Sequence, residues 1–133
     1  MQTWRTLLAA SAVLTILAIA LQFFFIGLAL TQLGGNGDAS LHVNFGYLMP
    51  IFPLATLILC WPARSGRTLA ILTAVLFVDS FVQGILPLLR PAFLAALHPV
   101  NAMVMAALAG IVIRQSTSLA RASASSASTP TES

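Results

Sequence analysis

The sequence predicts an all-α integral membrane protein: a four-helix up-down bundle with a disordered C-terminal tail. Three observations predict it. The chain has 133 residues of which only 7% are charged and 59% are hydrophobic, whereas a soluble domain carries about a quarter charged residues. Four apolar runs reach the roughly 20 residues that a crossing helix needs. All six basic residues are arginines, and they gather at the ends of those runs. The net charge of +3 forms no basic stripe, so nucleic acid is not an expected partner.

The first span covers about 7–31. It is longer than the apolar core of a secretory signal and has no clear cleavage site before a soluble domain, so it reads as a retained span. Gly34, Gly35, Asn36, Gly37 and Asp38 form the first loop, and Ser40 is a candidate N-cap. The second span covers about 41–61 and ends at Trp61-Pro62; Arg64-Ser65-Gly66-Arg67 turns the chain into a third span over about 68–89. Arg90-Pro91 makes the third turn, with Pro91 suited to a helix start, and the fourth span covers about 91–113. The transmembrane domain is thus 1–114. Residues 115–133, rich in Ser, Ala and Thr, have too little to bury and are expected to be a disordered cytoplasmic tail. Arg5, Arg64, Arg67, Arg114 and Arg121 lie on one side of the bilayer and Arg90 on the other, so both termini are expected in the cytoplasm.

The polar residues within these spans are few. Counting about 1.5 Å per residue from Arg5, Trp61, Arg67 and Arg114 puts Gln22, His42, Gln83 and His98 all roughly 24–28 Å away, in one layer with one residue per span. His42 and His98 are the only two histidines. His98 shares a four-residue ladder with Ala102, Ala106 and Gly110, small residues that let helices approach. His42 shares one with Gly46 and Pro50, and Gln83 one with Asp79 and Pro87. Pro50, Pro53 and Pro99 each remove a helical donor and can bend a span. Intramembrane polar groups usually face the protein interior and mark a path or site. Cys60, the single cysteine, excludes an internal disulfide and reads as a small buried residue.

Two resemblances follow from these residues. Gln22-Phe23-Phe24 with Gly27, Leu41-His42 with Gly46-Tyr47, Gln83-Gly84 and Leu97-His98-Pro99-Val100-Asn101-Ala102 resemble a group of small bacterial four-span proteins defined by a domain of unknown function. The resemblance implies an inner (plasma) membrane location and no activity. The order His42, Gln83-Gly84, His98 is also similar to one four-helix half of haem A synthase. That resemblance implies that His42 and His98 hold a haem b iron. It does not carry haem A synthesis, because Val43 follows His42 where that family has arginine and the paired loop cysteines are absent.

Two readings remain open. In the first, the chain is a small haem protein for electron transfer or haem handling. His42 and His98 are axial ligands, Gln22 and Gln83 hydrogen-bond the imidazoles or line the pocket, Arg90 pairs with a propionate, and Phe23, Phe24, Phe25, Phe45 and Tyr47 supply walls. In the second, it is a non-enzymatic structural or assembly subunit whose polar layer only fixes helix packing. Asp79, about one turn deeper, is expected to be neutral or paired and is the candidate for a relay through Gln83 or a bond to Ser80, Gln83 or a carbonyl. No catalytic constellation is visible. Expected partners are the bilayer, a redox or membrane-protein partner, and further copies of the chain.

Overall fold

A computed structural model describes residues 1–127. The chain is all-helical among the described residues. α1 spans Gln2–Ala29, α2 Ser40–Gly46, α3 Ile51–Cys60, α4 Arg67–Ile85, α5 Ala92–Ala95 and α6 Leu97–Ala127, with 3-10 turns at Thr31–Leu33 and Leu86–Leu88. These join into four stretches long and apolar enough to cross a membrane: Gln2–Ala29, Ser40–Cys60, Arg67–Leu88 and Ala92–Ser126. α1 packs on α3 and α6, and α4 packs on the same two, so spans two and four stand diagonally across the bundle. The exterior is apolar, with Leu14, Leu17, Phe24, Ile58 and Val78 all exposed. Such a surface suits lipid. Trp4 and Trp61 are exposed near the end that carries the termini, where amphipathic rings meet the membrane interface.

Proline breaks the second span. Pro50 and Pro53 cannot donate to the carbonyls of Gly46 and Met49, which lie four residues earlier. Those carbonyls accept instead from the N–H groups of Met49 (3.2 Å) and Phe52 (3.3 Å). The result is two short helices separated by a turn at 47–50. The fourth span is likewise interrupted at Ala96, ahead of Pro99.

The core combines aliphatic side chains with alanines and buried threonines. Leu8, Ala12, Ala63, Leu69 and Val112 fill the terminal end, while Leu76, Met105 and Ala109 fill the middle. Thr15, Thr56 and Thr73 are fully buried. Each returns its hydroxyl to a carbonyl four residues earlier (2.9, 3.1 and 2.8 Å), and Thr15 meets Thr56 at 3.3 Å across α1 and α3. Back-bonding of this kind lets a hydroxyl enter an apolar core without an orphaned polar group. Cys60 is buried and its Sγ lies 3.8 Å from the Thr73 hydroxyl.

Two sequence expectations are corrected. The stretch from 115 was expected to be disordered, but α6 continues through Ala127. Alanine favours helix, and this extension has tertiary partners. Ser116 is fully buried, Leu119 packs on the core, and Ser123 accepts a bond from the Arg5 guanidinium. The remainder of the expected tail, 128–133, lies outside the described residues. Ser40 was expected as an N-cap, but it is the first residue of α2. Asp38 does the work instead: its Oδ1 accepts the Ser40 N–H at 2.8 Å, while Asn36 Oδ1 accepts the Asp38 N–H at 2.9 Å. Gly35 completes this loop. A Cβ there would lie 2.3 Å from the Leu28 carbonyl oxygen.

Two measurements check this account. Leu76→Ala empties a site that is 1% exposed and should cost about 2–4 kcal/mol. Leu17→Ala, at 56% exposure, should cost less than about 0.5 kcal/mol. Reversible unfolding in detergent separates the two. Asp38 is held below its ordinary carboxyl value of 3.8 by the Ser40 backbone bond first and the Ser40 side chain second. Its contribution to the turn is therefore complete above 3.8 and is lost as pH falls through the lowered folded value. The Ser40 amide resonance should report that titration with a midpoint below 3.8.

Candidate functional site

The four residues of the expected layer converge at the end of the bundle opposite the termini. The linkage begins at Pro87. An α-helix would pair the Gln83 carbonyl with the N–H of residue 87, but proline has none. His98 fills that gap, with its Nδ1 2.9 Å from the Gln83 carbonyl oxygen. His42 also bonds a helix carbonyl, with its Nδ1 3.1 Å from the Gln22 carbonyl oxygen, here within the unbroken helix α1. A carbonyl oxygen only accepts, so each Nδ1 carries a proton and donates it to the carbonyl.

Gln22 and Gln83, expected to hydrogen-bond the imidazoles or line the pocket, each meet a ring Nδ1 through the main-chain carbonyl. The Gln83 side chain has a second task. Its Nε2 donates to the His98 carbonyl oxygen at 3.0 Å and lies 3.4 Å from His98 Nε2, while its Oε1 accepts from Asn101 Nδ2 at 3.0 Å. Asn101 thus belongs to the site as the residue that orients Gln83. Its spacing of three from His98, which puts both on one helical face, is the signal for it in the sequence.

The two imidazoles meet. Their centroids are 6.0 Å apart with the ring planes at 80°. No hydrogen bond occupies His42 Nε2 among the described residues. The Gln22 amide packs against Gly46, where a Cβ would lie 3.0 Å from Gln22 Nε2. Its Oε1 is sealed from solvent without a partner. Phe25 and Phe45 stack edge to face at 5.4 Å, and Phe45 meets Phe52 at 6.0 Å. Phe23, Phe24 and Tyr47, also expected as walls, are exposed on the outside of the bundle.

Arg90 is exposed in the loop before α5 and forms no hydrogen bond or ion pair among the described residues. Asp79 stands apart from the cluster. It lines an open apolar groove between α4 and α6 with Val75, Val78, Val82, Val104 and Leu108. Its Oδ2 is sealed without a partner. The polar atoms of Gln83 are committed to His98 and Asn101, and Ser80 donates to the Phe77 carbonyl at 2.6 Å. No hydrogen-bonded route joins Asp79 to the histidines among the described residues.

No protein-family model matches the chain, and no curated protein or solved structure is significantly similar to it.

The two glutamines should respond differently to removal of their amides. Gln83→Leu strands the Asn101 amide and removes a donor from the His98 carbonyl, and should cost about 1–3 kcal/mol. Gln22→Leu removes an oxygen that is already unsatisfied and should be neutral or stabilising, within about 1 kcal/mol. Paired thermal melts in one detergent check the contrast.

Proposed function

We propose that this protein is a small b-type haem protein of the plasma membrane, oriented with both termini in the cytoplasm, with His42 and His98 as the axial ligands. The observation that carries the proposal is the paired imidazoles, 6.0 Å apart across the bundle diagonal, each anchored through Nδ1 to a helix carbonyl. Two imidazoles brought together in this way would hold a haem iron, each through one ring nitrogen. With Nδ1 bonded to a carbonyl, each ring would ligate through Nε2, as metal-bound histidines do when their other N–H is held by a carbonyl. His42 Nε2 is free among the described residues, and the contact at His98 Nε2 is 3.4 Å, long for a hydrogen bond and easily exchanged. No group of three or more His, Cys, Asp or Glu that could hold a metal ion occurs among the described residues. A haem needs only two protein ligands, because the macrocycle supplies the others.

When bound, the haem supplies one-electron chemistry or is itself the cargo. The chain's residues do the rest. The Gln22 and Gln83 carbonyls hold the imidazoles in register. Gln83 and Asn101 fix the first turn of α6 against α4. Phe25 and Phe45 offer an apolar flank, and Arg90 is a cation available to a propionate. The orientation rests on Arg5, Arg64, Arg67, Arg114 and Arg121 at the terminal end against Arg90 at the other.

A second reading has its own support. The Gln83 amide already spends its polar atoms on His98 and Asn101, as in a layer that only locks α4 to α6. The visible spectrum of protein expressed with ample haem and purified in detergent separates the two. The haem reading expects a sharp reduced-minus-oxidised b-type band at one haem per chain, abolished in His42→Ala and in His98→Ala and unchanged in Asp79→Asn. A colourless, folded protein, whose histidine variants only melt earlier, would leave the packing layer as the reading.

A further inference from the structure

At the terminal end, the turn between α3 and α4 forms an open groove lined by Leu57, Trp61, Arg64, Ser65, Arg67 and Ala70. Its two halves differ in chemistry. Leu57, Ala70 and the Trp61 ring give an apolar floor, and two guanidiniums rim it. Arg64 and Arg67 are both exposed and have no ion-pair partner among the described residues. The two acids among the described residues are remote: Asp38 lies in the opposite loop, and Asp79 faces another groove. The nearby Arg5 is turned to neutral acceptors, the Ala63 carbonyl at 3.3 Å and the Ser123 hydroxyl, so its charge also has no ion-pair partner among the described residues.

The groove is held open by backbone geometry. Ser65 N–H bonds the Cys60 carbonyl at 3.1 Å, Arg64 adopts φ 50° and Gly66 φ 84°. This tight turn keeps the two arginines on either side of it rather than splayed on a long loop. Trp61, 90% exposed, stands beside them. Tryptophan settles where acyl chains give way to headgroups.

We infer that this groove binds one anionic phospholipid, with the phosphate between Arg64 and Arg67 and an acyl chain along Leu57, Ala70 and Trp61. Two uncompensated guanidiniums call for an anion, and the apolar floor calls for a chain attached to it. Inorganic phosphate satisfies only the first of these. Basic residues near a membrane surface contribute about 1 kcal/mol each to anionic lipid binding.

Trp61 supplies the readout. In a Trp4→Phe background it is the sole tryptophan, since the chain has only two. Detergent-purified protein is titrated with phosphatidylglycerol brominated on its acyl chains, and quenching of Trp61 is followed. Brominated phosphatidylcholine serves as the neutral lipid and inorganic phosphate as a competitor. The expected result is selective quenching by phosphatidylglycerol that phosphate does not reverse. Arg64→Asn with Arg67→Gln should raise the half-quenching concentration about 30-fold, or about 5-fold for Arg67→Gln alone if the double variant does not fold. Asn is chosen at Arg64 because it tolerates a positive φ. Arg114→Gln with Arg121→Gln should leave the titration unchanged. Equal quenching by both lipids, reversal by phosphate, or equal loss in the Arg114/Arg121 variant would each overturn the assignment.

Discussion

The arrangement at the far end of the bundle depends on one carbonyl that its own helix cannot satisfy. Lipid offers no water to an orphaned backbone acceptor, so a proline in a spanning helix must be answered by some other group. Pro87 leaves the Gln83 carbonyl open, and the His98 Nδ1–H closes it at 2.9 Å. That single bond ties the start of α6 to the end of α4. The Gln83 side chain then returns to the His98 carbonyl, so the two residues are joined through both main chain and side chain. His42 also bonds a helix carbonyl, that of Gln22 within the unbroken α1. The imidazoles face each other because two helix carbonyls hold them there.

The same requirement explains where the bundle bends. The Gly46 and Met49 carbonyls, deprived of donors by Pro50 and Pro53, find them one residue earlier, and the span becomes two helices joined by a turn. The bend lies next to His42 on the same span. The deeper core has no such breaks. It is filled by leucine, alanine and valine, with threonines that satisfy their own hydroxyls. Rigidity in the middle and broken helices at the far end concentrate the polar groups able to meet a ligand at one level.

Charge is arranged by the cost of burying it. Arg5, Arg64, Arg67 and Arg90 lie in a first helical turn or in turns, Arg114 and Arg121 lie in the C-terminal half of α6, and the pair of the α3–α4 turn rims an apolar groove. Asp79 is the exception. Set in a groove open to lipid and lacking a donor among the described residues, it is the most expensive side chain in the spans. No hydrogen bond joins it to the histidine cluster among the described residues, although Gln83 lies one turn away on α4.

The all-helical class, the count of spans and the common depth of Gln22, His42, Gln83 and His98 were legible in the sequence, because hydrophobic run length and rise per residue are local quantities. Pro87, four residues after Gln83, was also a readable mark of a freed carbonyl. Tertiary structure decided the rest. Which face each helix turns inward depends on packing against two neighbours, and this set the diagonal meeting of His42 with His98. The use of the Gln22 and Gln83 main-chain carbonyls at Nδ1 depends on distances of a few ångströms between helices. The helix beyond Arg114 was illegible for the same reason: its composition alone buries little, and it is ordered by contacts with Arg5 and the core from more than a hundred residues earlier in the chain. Asp79 and Gln83 lie one turn apart on α4, yet Gln83 bonds His98 and Asn101 while Asp79 lines the groove with Val104 and Leu108.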